Sequence, residues 1–427
     1  MPNINQVYPI VNELYAQATG RKAAATYDAA GLVSIGKNVL SSATNKENFC
    51  GVLVDRINKL VISERPYVGR GKNMKMDPLV WGGIVQKLDV DPIEAKEAAH
   101  WAVPSGTTTD IDIVKPGLVQ RFFSGIDAFQ LNVAIPDQQL EMAFTSAEEM
   151  LKLFTAIYTK LSNAKEKALE NLANVTRATA IANRLMYQKD PEAVRTGTGN
   201  AAKTLVVDLR NEYNTFFGLT SGDTGYLATA ADANRSPEFL RFCVQKISEY
   251  TKYFQEYGCL HNQPLVSGTT TGSDIAEKNL DRHTPSDVLR LDIISNFVSA
   301  YNSICQSDTF NSELTALPMY ESVPYWQAPG VGHADARKII IKANVNYTQG
   351  GDEKTYSFNQ DGIIAVMSDY EAMGVMLNKE RRRSVYDANH EVTCIYEKAD
   401  KGYFVDPTEN LVVFVVADSI ATPTIVS

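Results

Sequence analysis

The sequence predicts an α+β protein organised around one long helical stretch, with a large excursion between an N-terminal helical region and the body. Three observations carry this. Residues 146–187 hold an almost continuous apolar stripe at helical spacing. Strand signals recur late in the chain, at 338–349, 362–367 and 411–416. Between them and the N-terminus, residues 66–116 are punctuated by Pro66, Gly69, Gly71, Pro78, Gly82, Gly83, Pro92, Pro104, Gly106 and Pro116.

In chain order, Val7, Ile10, Val11 and Leu14 fall on one face over residues 5–19, with Gly20 as a stop. Residues 21–43 are small and polar and read as an extended, loosely held arm. Thr44 with Glu47 reads as a capping box, opening a helix that turns Phe49, Val52, Leu53, Ile57 and Val61 inward. Ser63-Glu64-Arg65-Pro66 ends it. The excursion that follows carries strand signals at Ile84–Val90 and in the alternating 110–114. Fifty residues exceed an ordinary compact-domain connection, so the segment is expected to protrude as a hairpin whose faces meet a partner. Trp81, Trp101, Arg65, Arg70, Lys72 and Lys75 lie on or beside it.

Ser146 and Glu149 form a second capping box, followed by Met150, Phe154, Ile157, Tyr158 and Leu161 on one face. Ser162-Asn163 is expected to interrupt. A second helix over 164–187, roughly 36 Å long, then keeps Ala168, Leu172, Val175, Ala182 and Met186 on its apolar side, with Thr179 as the polar intrusion. Asp190-Pro191 stops it, because a residue before proline disfavours helical geometry. The Gly/Thr-rich 192–202 reads as a domain boundary. Leu205, Val206, Leu209, Tyr213 and Phe216 suggest a short helix. Ser236-Pro237 opens another, with Gly258 just past its end. Residues 284–301 mix strand and helix signals, and 411–416 is a buried strand by its continuous apolar run.

A chain of 427 residues has room for two or three domains. The net charge of −9 argues against a nucleic-acid-binding module, yet suits a wall that must not stick to nucleic acid. Cys50, Cys243, Cys259, Cys305 and Cys394 are odd in number and lack CxxC spacing, which fits a reducing compartment. The N-terminus has no signal-peptide pattern, and no apolar run approaches the roughly 18 residues of a membrane span.

The motifs of catalysis are missing. Gly69-Arg70-Gly71-Lys72 lacks the spacing with which a P-loop cradles phosphate, no GxGxxG or GxSxG occurs, and the five histidines share no metal-ligand spacing. Cys259 and His261 are close but read as a helix-end loop. Lys379-Glu380-Arg381-Arg382-Arg383 is the densest basic run; it reads as a solvated turn, or as a partner for phosphates or a neighbour's carboxylates. The expectation is therefore a non-enzyme with no catalytic, cofactor or metal residues, made to touch other subunits.

Three segments carry a family resemblance: Asn48 to Ile57 (NFCGVLVDRI), Asp127 to Leu161 leading into the long helix, and Gly362 to Val416. In the last, a strand ends at Asp369, followed by a turn with Met373 and Met376, the basic run, a strand through Tyr386 and the final strand. Residues 284–300 match less specifically. In this order they resemble the major capsid protein of tailed bacteriophages, most like the small short-tailed, phi-twenty-nine-like podoviruses. The resemblance implies the capsid fold shared by tailed phages and herpesviruses. It places an N-terminal arm at 1–62, an extended hairpin loop at 63–118, a peripheral domain with a spine helix at 119–194 and 338–427, and an axial domain at 195–337. It implies self-assembly into pentamers and hexamers forming a head shell around double-stranded DNA. Its expected partners are scaffolding, portal and decoration proteins and non-specifically contacted DNA, with no membrane and no cofactor. The expected location is the virion, after assembly in the host cytoplasm. The subunit-interface candidates are Arg65, Arg70, Lys72, Lys75, Trp81, Trp101, Arg381, Arg382 and Arg383. Deleting residues 72–102 is expected to leave a soluble subunit that forms no shells. The other readings are an encapsulin-like compartment shell and a soluble hydrolase with an unrecognised carboxylate pair. A sizing column separates shells or capsomers from the monomer or dimer of a hydrolase.

Overall fold

The computed structural model describes residues 4–20, 29–57, 72–76, 85–90, 118–123, 126–189, 203–233, 236–267, 276–306, 320–326, 339–343, 348–349, 352–353, 355–420 and 424–426. Its organising element is α5, one continuous helix from Ala147 to Lys189. Its 43 residues span roughly 64 Å. The Glu149 N–H donates to Ser146 Oγ at 3.2 Å, so the capping box opens the helix as predicted. The expected break at Ser162-Asn163 does not occur. Neither residue costs more than a few tenths of a kcal/mol in a helix interior, whereas Leu161, Leu169 and Leu172 are buried on either side. Packing on both flanks overrides the weak local signal. The helix ends at Lys189, just before Asp190-Pro191.

The N-terminal half of α5 lies in one core with α1 (Ile4–Thr19), α2 (Ala29–Leu40), α3 (Ala43–Ile57) and α4 (Asp137–Ala143). Val7, Val11 and Leu14 are inward as the spacing predicts, and the Gly20 N–H closes α1 on Ala16 O with φ +71°. The expectation of a loose arm over 21–43 fails for 29–40. Leu32, Ile35 and Val39 are buried at helical spacing, and Gly36 lets the Phe144 ring sit where a Cβ would lie 2.7 Å away. Small residues there serve close packing rather than flexibility. The cap of α3 is Ser42, whose Oγ accepts from the Asn45 N–H, and not Thr44.

These helices cover one face of a three-stranded antiparallel sheet. It is made of β3 (Ile126–Pro136) and a long ribbon, β8 (Met373–Asp387) with β9 (Val392–Val405), in the order β8-β9-β3. The predicted turn at the basic run is thus the middle of a 15-residue strand. Charged residues depress strand propensity, but alternate members here stand on a solvent-facing side.

The C-terminal half of α5 enters a second core around a five-stranded sheet. Its order is β4-β10-β7-β5-β6, from β4 (Val206–Asp208), β5 (Leu289–Ile294), β6 (Glu321–Val323), β7 (Ile363–Asp369) and β10 (Leu411–Val415). Every residue of β7 and β10 is buried, which explains their unalternating apolar runs. The short helix expected over 205–216 is instead β4 followed by α6 (Leu209–Phe216), capped by Asp208. Helix α7 (Pro237–Tyr253) begins on Ser236 as predicted but ends before Gly258. Residues 284–301 resolve into β5 and α8 (Ser295–Tyr301). β7 and β10, from the segment assigned to the peripheral domain, hydrogen-bond to β5 and β4 of the segment assigned to the axial domain. The described core therefore does not divide at residue 338. The expected boundary at 192–202 and the strand at 110–114 lie outside the described residues.

Candidate inter-subunit surface

The excursion between α3 and β3 is rooted in the body at two levels. At the first, residues 72–76 run beside β8: Lys75 bridges Val375 in parallel, and the Met76 N–H donates to Val375 O at 2.9 Å. Met74 is fully buried in the second core. Gly374 makes room, since a Cβ there would meet Met76 Sδ and the Phe404 ring at 2.7 Å. Asn73 donates to Asp292 Oδ1 at 3.2 Å, and the same carboxylate accepts from Arg177 Nε at 2.7 Å. Arg177 and Asp292 are each about 1% exposed, so one buried ion pair ties the spine helix, the sheet and the root of the excursion.

At the second level, β1 (Val85–Val90) and β2 (Leu118–Phe123) form an antiparallel ribbon, with Val85 opposite Phe123 and Val90 opposite Leu118. The strand expected at 84–90 is β1. Alternation sends Lys87, Asp89 and Arg121 toward the body and Leu88, Val90, Leu118 and Phe122 away from it. On the inward side, Lys87 meets Glu371 at 2.8 Å, Asp406 at 3.2 Å and also Glu409. Arg121 Nε donates to Asp89 at 2.8 Å, and its Nη1 to Asp406. Arg282 bridges Asp89 and Glu409, the latter at 3.2 Å. Phe123 packs on Phe404 with ring centroids 5.6 Å apart. Burial pushes the Asp406 carboxyl up, but Lys87 and Arg121 overcome this and hold it below the ordinary range. Arg282 and Arg121 likewise hold Asp89 low against its burial. Burial wins at Glu409, which is raised despite Lys87 and Arg282. Lys87 is raised despite burial by Asp406 and Glu409. Four acids are met here by three cations, an arrangement that anchors the ribbon to the body.

The outward side is open and mostly apolar, with Gln86 and Gln120 as its polar members. Leu88, Val90, Leu118 and Phe122 are 53–63% exposed on one face of a two-stranded ribbon, a structure that is marginal unless its apolar face is covered. Alternation alone shows the strand; nothing in the sequence shows which side the body neutralises, because Asp406, Glu409 and Arg282 lie far away in the chain.

Of the residues expected at an interface, Arg65, Arg70, Trp81 and Trp101 lie outside the described residues, and Lys72 is described only as the first residue of a single 3-10 turn. Lys75, expected to meet a neighbour's acid, pairs with Glu166 of its own α5 at 3.0 Å. The basic run is split by the pleat. Arg382 turns inward to Glu397, which also binds Lys165 at 2.6 Å, while Arg381 and Arg383 are exposed. His261 stacks on Phe254 and its Nδ1 lies 3.1 Å from Thr204 O; burial lowers its basicity. Among the described residues no group of three or more His, Cys, Asp or Glu is placed to hold a metal, and no helix is long and apolar enough to cross a membrane.

The capsid chain of Staphylococcus phage Andhra is similar at 10% identity, covering 84% of this chain and 87% of that one, with a TM-score of 0.47. That of cyanophage P-SCSP1u is similar at 11% identity, covering 84% and 91%, with a TM-score of 0.44. No curated protein sequence matches significantly. The assignment rests on the family model described as Phi29-like phage major capsid protein, which matches residues 8–221, half of the chain. That span takes in most of α1, all of α2–α5, both roots of the excursion and α6. The chain therefore belongs to the Phi29-like phage major capsid protein family, as a structural subunit of the phage capsid.

Proposed function

We propose that this subunit assembles into pentamers and hexamers that close a head shell around double-stranded DNA, with no bond made or broken. The observation that carries this reading is the two-sided β1–β2 ribbon. Its charged side is bolted to its own body, so its apolar side is held out for another subunit. Full burial of such side chains yields about 1.5–3 kcal/mol each, and roughly half of that remains to be gained here. Each contact is weak, and closure of a shell multiplies it. The outward face of the ribbon and the parts of 63–118 beyond its roots, including Arg65, Arg70, Lys72, Trp81 and Trp101, lie over a neighbour's spine helix. The peripheral role belongs to 119–194 with the β8–β9 ribbon, and the axial role to 195–337 together with β7 and β10, which pair with β5 and β4. Scaffolding, portal and decoration proteins and non-specifically held DNA complete the partners, and assembly proceeds in the host cytoplasm before the protein resides in the virion.

Electron microscopy and size-exclusion chromatography of the overexpressed chain test this reading. Shells or capsomers are expected; a stable monomer or dimer at micromolar concentration would refute it.

A further inference from the structure

We propose that the buried node formed by Arg177, Asn174, Arg290 and Asp292 is a binding site for one small monovalent anion, with chloride as its occupant. The site lies inside the subunit, where the spine helix α5 meets β5, and it is independent of how subunits assemble.

Arg290 and Asp292 are two residues apart on β5, so both side chains stand on one face of the sheet. Arg177 of the spine reaches that face through the 2.7 Å bond of its Nε to Asp292. All four side chains are at most 5% exposed. Their hydrogen bonds do not close. Arg177 directs Nε to Asp292 and Nη1 to Asn174 Oδ1 at 3.1 Å, and its Nη2 finds no acceptor among the described residues. Arg290 donates Nη1 to Met373 O at 2.8 Å, and its Nε and Nη2 find none. Asn174 Nδ2 is in the same condition, whereas the node has a single unmet acceptor, Asn73 Oδ1. This surplus of donors identifies the ligand. Water brings as many donors as acceptors and leaves the surplus as it was; an acceptor-only ion removes it.

Charge points the same way. Asp292 balances Arg177. Asp369, the other carboxylate near Arg290, already accepts from Thr284 Oγ1 at 2.7 Å and from the Glu371 N–H at 2.8 Å. The Tyr370 ring centre lies 4.2 Å from the Arg290 guanidinium carbon and offers its π face rather than a full charge. Burial pulls Arg290 down to about 10 despite Asp292, Tyr370 and Asp369, and Arg177 adds to the fall. One guanidinium is left under-neutralised, and one negative charge completes it. Bound there, the ion joins α5 to β5 and, through Arg290 and Met373 O, to the start of β8.

The test follows unfolding of this core through Trp326 in a Trp81→Phe/Trp101→Phe background, in sodium chloride against sodium gluconate at equal ionic strength. Gluconate is too large for the node. Above the dissociation constant, the unfolding equilibrium constant should fall about tenfold for each tenfold rise in chloride, the slope for one ion released on unfolding. Arg290→Met should lose that slope, and the exposed Arg381→Met should keep it. Chloride NMR gives a readout that needs no unfolding: the folded protein should broaden the chloride line, bromide should compete the broadening away, and Arg290→Met should not broaden it. Equal stability in the two salts with an unbroadened line would overturn the proposal and leave the node to water. A slope or broadening that persists in Arg290→Met would overturn it by placing the ion elsewhere. Should Arg290→Met fail to fold, Asn174→Asp puts a carboxylate in the node and should fold without chloride dependence; dependence retained there would equally overturn the proposal.

Discussion

Arg177→Met isolates the ion pair on which three elements converge. Arg177 Nε meets Asp292 Oδ2 at 2.7 Å with both side chains about 1% exposed, and Asn174 accepts from the same guanidinium at 3.1 Å. Removing the cation leaves Asp292 buried, with Asn73 donating to it at 3.2 Å. Breaking a buried pair by truncating one partner costs about 3–5 kcal/mol, whereas replacing both partners with apolar groups is often neutral. The unfolding equilibrium of the second core should therefore shift by roughly a hundred- to several-thousandfold in Arg177→Met. Arg177→Met/Asp292→Leu should recover most of the loss. Trp326 is a built-in reporter: it is fully buried, and its indole N–H donates to Ile363 O at 3.0 Å on the strand paired with β5. With Trp81→Phe and Trp101→Phe as background, urea unfolding followed by the remaining tryptophan reads this core alone. A cost below about 1 kcal/mol, or a double variant no more stable than the single one, would refute the reasoning.

Further outcomes follow from the same geometry. Deleting 72–102 should unfold the subunit rather than merely silence assembly, because it removes fully buried Met74 and leaves Asp406 and Glu409 without Lys87; excising 92–116 with a short turn in its place should give a folded, shell-less subunit on a sizing column. Acid should loosen the ribbon root. Asp89 and Asp406 have carboxyls held below the ordinary value of 3.8, so their stabilisation is present above about pH 4 and is lost as pH falls through the lower folded values. Glu409, raised by burial, protonates first and works in the opposite direction. Hydrogen exchange of the β1 and β2 amides in a pH series checks this, and unchanged protection down to pH 2 would contradict it. Gly362→Ala should destabilise by about 1–3 kcal/mol or more in a thermal melt, since φ is +72° and a Cβ would lie 2.0 Å from Val416 O.

The sequence by itself determined the parts whose signal is local: the capped start of the spine at Ser146, its stop before Pro191, the inward face of α1, and the apolar runs that become β7 and β10. It also located β1 within 66–116, by the strand signal at 84–90. What required the tertiary structure were features decided by distant partners. Ser162-Asn163 stays helical because Leu161 and Leu172 are buried on either side, and 29–40 is a helix because Phe144 fills the space Gly36 leaves. The basic run is a strand whose pleat gives Arg382 to Glu397 and leaves Arg383 outside. The orientation of the β1–β2 ribbon was the least legible of all. Its apolar and charged residues alternate in the chain, but which set faces solvent is fixed by Arg282, Asp406 and Glu409, some 190 to 320 residues away. Periodicity reports that an element has two sides; only the charges waiting in the folded body decide which side turns in.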